Sequence, residues 1–145
     1  MKTGNKGELS RVAASLFLLA AGWSACAVQI DLAGPAGSVT FGKSVTVLAN
    51  GNFIVTDPNY SIPGGAANVG AVYLYDGKTL AMISMFTGST ANDQVGLNGV
   101  TVLANGNFVV RSLSWDNESM VDAGAATWGS GTAGVSGAVS AANSL

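Results

Sequence analysis

From Val45 onward the chain alternates short apolar runs with clusters of Gly, Asn, Asp and Ser. Val45-Thr46-Val47-Leu48 is brief and β-branched, and Ala49-Asn50-Gly51-Asn52 follows it. An Asn-Gly pair between apolar runs predicts a tight hairpin, because both residues tolerate the positive φ that such turns demand. Phe53-Ile54-Val55-Thr56 then reads as a strand buried on both faces. After a loop from Asp57 to Val69, Val72-Tyr73-Leu74-Tyr75 predicts a strand with aliphatic residues on one face and tyrosines on the other. Asp76-Gly77 makes a second turn, and Leu80 to Phe86 supplies a fourth strand.

The pattern is written twice. Residues 45–55 and 100–110 agree at ten of eleven positions, the exception being Ile54 against Val109, and the period is 55. The second copy predicts strands at Val100–Leu103, Phe108–Val110, Ala125–Trp128 and Val135–Val139, the last diluted by Gly134 and Gly137. The fold class expected is therefore all-β: two tandem four-stranded antiparallel, blade-like repeats, over residues 41–96 and 97–145. The second copy stops short of a segment matching the Gly88–Gly96 linker that follows the first. Stacked repeats generally need three or more units for independent stability, so the outcomes expected are a marginal two-sheet β-sandwich monomer, a homo-oligomer assembled into a ring, or a fragment of a longer repeat array.

Ahead of the repeats, residues 1–27 have the three parts of an export signal. Lys2, Lys6 and Arg11 open it, Val12 to Trp23 is apolar, and Ala25-Cys26-Ala27 is a small-x-small cleavage pattern. A helical signal peptide cleaved after Ala27 is expected, with residues 28–40 as a lead-in. An uncleaved membrane anchor and a Cys26 lipidated at the cleavage site are the alternatives, since about 20 apolar residues can span a bilayer and Cys26 lies within the cleavage pattern. Cleavage would leave a chain without cysteine, suited to an oxidising compartment. The destination expected is secreted, extracellular or cell-surface, with the periplasm as an alternative and no membrane insertion of the mature chain.

Hydrophobic residues make up 48% of the chain and charged residues only 10%. This composition argues against disorder, which needs few apolar residues and high net charge. Past residue 27, Lys43, Lys78 and Arg111 face Asp31, Asp57, Asp76, Asp93, Asp116, Glu118 and Asp122. An acidic chain with scattered cations is a poor fit to phosphate backbones, so nucleic acid is not an expected partner.

Phe41-Gly42, Asn50 to Tyr60 and Gly70-Ala71-Val72-Tyr73-Leu74-Tyr75 together resemble the FG-GAP repeat of integrin α-type β-propellers. The long unit is also similar to tandem repeats of bacterial haemagglutinin-like surface proteins. The resemblance covers Phe41 to Leu145 and implies propeller blades, an extracellular setting and a binding or adhesive role. Many FG-GAP repeats hold calcium on spaced aspartates. The matching positions here are Asn50, Asn52 and Asp57, and in the second copy Asn105, Asn107 and Ser112. Calcium takes six to eight oxygens, usually including several carboxylates. One carboxylate makes Asn50, Asn52 and Asp57 weak metal candidates, and their ordinary reading is hairpin chemistry.

The chain has no histidine, which removes Ser-His-Asp and Cys-His nucleophilic sites and His-containing zinc sites. No Walker-type phosphate loop is present. Asp116, Glu118 and Asp122 cluster in Asn/Ser-rich sequence, where solvated loop charges are the default, cation binding is the alternative and a pair of acids tuned for hydrolysis is not expected. Tyr60, Trp115 and Trp128 are the candidate ligand contacts, against the plainer reading that they cap the core. The expectation is a secreted or surface β-repeat protein with a structural or adhesive role, no catalysis and no cofactor. Its partners would be other protein chains or surface glycans. The alternative is a propeller fragment that binds calcium or carbohydrate.

Overall fold

Turn chemistry fixes where the strands begin. Gly51 and Gly106 take φ of 91° and 82°, and each donates its N–H to the leucine three residues earlier, Leu48 or Leu103. Asn50 Oδ1 accepts the Asn52 N–H and Asn105 Oδ1 accepts that of Asn107, so each asparagine closes its own turn. A computed structural model describes residues 29–145; the expected signal peptide and its cleavage point lie outside the described residues. Its strands are β1 (Ser44–Val47), β2 (Phe53–Asp57), β3 (Ala71–Tyr75), β4 (Met82–Thr87), β5 (Val100–Val102), β6 (Phe108–Ser112), β7 (Ala125–Gly129) and β8 (Gly137–Ala138). There is no helix among the described residues, and so none long and apolar enough to cross a membrane.

The strands form two sheets, one ordered β1-β2-β3-β4-β8 and one ordered β5-β6-β7. The all-β class and the tandem repeat are as the sequence predicts, but the strand count per sheet is not. The fourth strand of the second copy leaves its own sheet and runs parallel to β4, with Gly137 opposite Phe86 and Ala138 opposite Thr87. The cause lies just after β7. Ser130 and Gly134 exchange backbone hydrogen bonds and close a short turn. Gly134, at φ 70°, lies so close to Ser84 of β4 that a Cβ would collide with that side chain. The chain is thereby delivered to the edge of β4. The place beside β7 goes to Ser144 and Leu145, where Leu145 and Ala126 exchange both backbone hydrogen bonds. A smaller departure concerns Leu80, which sits at φ 60° in the turn after Asp76, so β4 starts only at Met82.

Residues Leu32–Leu145 form one compact unit. Within it the first sheet is the middle layer, because alternation sends successive side chains to opposite faces. Ile54, Val72, Leu74 and Phe86 face the second sheet and join Phe108, Val110, Trp115, Ala125, Val139 and Val95 in one core. Val55, Tyr73 and Tyr75 face the other way, where Leu32, Phe41 and Ala66 cover them. Full burial of a side chain such as Ile54, Leu74 or Phe86 is worth about 1.5–3 kcal/mol, which makes the sheet-to-sheet core the main source of stability. Aromatic packing adds to the outer core: Phe53 stacks on Tyr75, its cross-strand partner, at 5.4 Å and 13°. In the second sheet the equivalent Phe108 lies over Gly129 instead.

Candidate functional site

The asparagines singled out as metal candidates are structural clasps between repeats. Asn50 Nδ2 and Asn52 Nδ2 both donate to the carbonyl oxygen of Gly131, at 2.8 and 2.9 Å. Gly131 opens the turn after β7, and its own N–H goes to Asn107 Oδ1 of the second copy. One peptide segment is thus held by the hairpin turns of both repeats. Only glycine fits there, since a Cβ at Gly131 would strike the Gly106 carbonyl, and one at Gly77 would strike that of Gly51. The two turns after the third strands are also closed alike. Asp76 Oδ1 accepts the N–H groups of Lys78 and Thr79, and Ser130 Oγ accepts those of Thr132 and Ala133. Those amide donors, Thr79 first, hold the exposed Asp76 carboxyl below the usual carboxylate range.

Asp57 lies at the other end of β2 from Asn50 and Asn52, five residues and about 16 Å from Asn52 along an extended strand. The structure does not bring the three together. The Asp57 carboxylate is fully buried and accepts from Val39 N–H, Thr40 N–H and Thr40 Oγ1, so it pins the lead-in across the sheet end. Asp93, which sequence reasoning did not single out, does the same for the linker. It is buried and accepts from Ser89, Thr90 and Asp116 backbone N–H groups. Its only sequence signal is the Ser-Thr-x-x-Asp spacing, which suits a carboxylate turning back on its own loop. Asp116 in turn accepts the Asp122 N–H. Glu118 is exposed at φ 55°. Among the described residues, no three Cys, Asp or Glu side chains gather as a metal-holding group.

The three aromatic candidates separate. Tyr60 packs with Val69 and Tyr73 in the outer core, and Trp115 sits in the core between the sheets. Trp128 is 51% exposed. It borders an apolar groove of about 450 Å³ with Val109, Ala126 and the segment Ala141–Leu145. Four buried side-chain groups have no hydrogen-bond partner among the described residues: Ser38 Oγ, the Tyr73 hydroxyl, Ser112 Oγ and Trp115 Nε1. Burial raises the Tyr73 phenol well above the usual tyrosine range, and raises Tyr75 in the same direction.

Neither the curated proteins nor the solved structures contain a match to this chain. A family model described as "Repeat of unknown function (DUF5650)" matches residues 47–97 and again residues 102–145. The two matched segments fall on the two copies whose hairpin turns and first three strands repeat in space, and the chain belongs to that repeat family.

Proposed function

We propose that this chain is a secreted or cell-surface β-repeat protein with a structural or adhesive role and no catalysis of its own, its repeats acting as propeller-like blades. The observation that carries this reading is the use made of the polar side chains. Asn50, Asn52, Asp57, Asp76, Asp93 and Asn107 are all committed to backbone groups of turns, lead-in and linker. They build a scaffold of stacked sheets. Face-to-face packing of consecutive sheets supports the propeller-like part, alongside the FG-GAP resemblance of Phe41-Gly42 and Asn50 to Tyr60. The basic, apolar and small-residue order of residues 1–27 supports export.

A second reading, carbohydrate binding, is favoured by one feature: an exposed tryptophan beside an apolar groove suits stacking on a sugar ring. Intact mass and N-terminal sequencing of the protein in the culture medium test the first reading, with a start at Val28 expected. Cell-retained protein with Met1 intact would overturn export. A glycan array probed with the wild type and Trp128→Ala separates the readings, since glycan signal lost in the variant would favour the second.

A further inference from the structure

The two sheets are stacked in the same sense, so each position on the first has a counterpart on the second. Strand register gives the pairs: Ile54 with Val109, Val72 with Ala126, and Leu74 with Trp128. Leu145, opposite Ala126, corresponds to Phe86, opposite Val72. In the first sheet this face is sealed by the second: Ile54, Val72, Leu74 and Phe86 are 0%, 1%, 1% and 2% exposed. In the second sheet the same face is open. Trp128 is 51% and Leu145 101% exposed, and Val109 and Ala126 line the groove between them.

The polar clasp is open too. Asn50 and Asn52 of the first sheet donate to the Gly131 carbonyl of the second. Their counterparts Asn105 and Asn107 use only their oxygens, and their Nδ2 donors meet no acceptor among the described residues. The one charged side chain on this face, Arg111 in place of Thr56, has its guanidinium beside Gly99 near the start of β5, where it can stay hydrated.

We infer that the outer face of the second sheet is a stacking site for a further repeat of this same kind. The partner sheet would bring an apolar face like that of Phe108, Val110 and Thr127, and a glycine carbonyl at the turn after its third strand. A second copy of the whole chain does not fit this role, because Leu32 and Phe41 already cover the face its first sheet would have to offer. The inference rests on reading the repeats as a propeller-like stack, but not on where the protein is exported or what it adheres to.

The test extends the full chain. Because Leu145 stands where Phe86 stands, adding a second copy of residues 87–145 after Leu145 continues the register. The probe is 5-fluorotryptophan, with the Trp128 resonance assigned by Trp128→Phe. In the extended chain Trp128 should become inaccessible to a soluble paramagnetic quencher, while its added copy stays accessible, and the melting temperature should rise by several degrees. Asn105→Asp with Asn107→Asp keeps the turn-closing oxygens but removes the donors. It should cancel much of that rise in the extended chain and leave the two-repeat chain nearly unchanged. A Trp128 that stays accessible, or an added repeat that stays unfolded by circular dichroism, overturns the inference. Self-association of the two-repeat chain that Trp128→Asp abolishes also overturns it, by giving the face to a second copy.

Discussion

Tyr73 carries a hydroxyl that its surroundings do not use. The ring is fully buried between Phe41 and Tyr75, while the oxygen has no hydrogen-bond partner. Leaving a buried polar atom unsatisfied costs about 1–3 kcal/mol. Tyr73→Phe is therefore expected to be neutral or to stabilise by about 1 kcal/mol, read as an upward shift of the urea midpoint at unchanged slope. The same phenol sets an alkaline limit. Its folded pKa lies above its unfolded value of about 10, so its contribution is complete below pH 10 and is lost as pH rises further. Tyr75 acts in the same sense. Denaturant midpoints measured upward from pH 9 should fall beyond pH 10, and less steeply in Tyr73→Phe. None of this was legible in the alternation Val-Tyr-Leu-Tyr, which shows that the tyrosines share a face but not that the lead-in seals that face from water.

At the scale of elements, the hairpin turns do two tasks. Asn-Gly supplies the local bend, and that much was legible from residue types alone, because the positive φ it requires is a local property. The second task, reaching across to Gly131, depends on which repeat stands next to which, and no local pattern encodes it. Asn50→Ala with Asn52→Ala removes three hydrogen bonds, two to Gly131 and one within the turn, and should cost about 1.5–4.5 kcal/mol, since each is worth about 0.5–1.5 kcal/mol net. Asn50→Asp with Asn52→Asp would preserve the turn but not the clasp, and guanidinium melts of the two pairs apportion the loss. The fate of the last strand was hidden for a related reason. Its glycines weaken any intrinsic strand preference, so the turn at Ser130–Gly134 and the free edge of β4 decide its pairing. The spacing of Asn50, Asn52 and Asp57 likewise says nothing of their separation in space, since a straight strand holds its ends apart.

For the molecule as a whole, one core takes residues from both sheets, and β8 joins the second repeat to the first. The repeats should then unfold together. Calorimetry is expected to give a single transition with equal calorimetric and van't Hoff enthalpies, whereas two resolved transitions would mean that the interface contributes little. The strand exchange also orders events during synthesis. The ribosome delivers β1 to β4 first, yet the edge of β4 remains without a neighbour until Gly137 and Ala138 emerge. A growing chain with an uncovered strand edge and an unsealed apolar face invites wrong pairing. Nascent chains arrested before β8 should be cleaved readily by protease within β4, and those arrested after it should resist. Strand β8 thus acts as a timing device, holding the first sheet incomplete until the second repeat has been made.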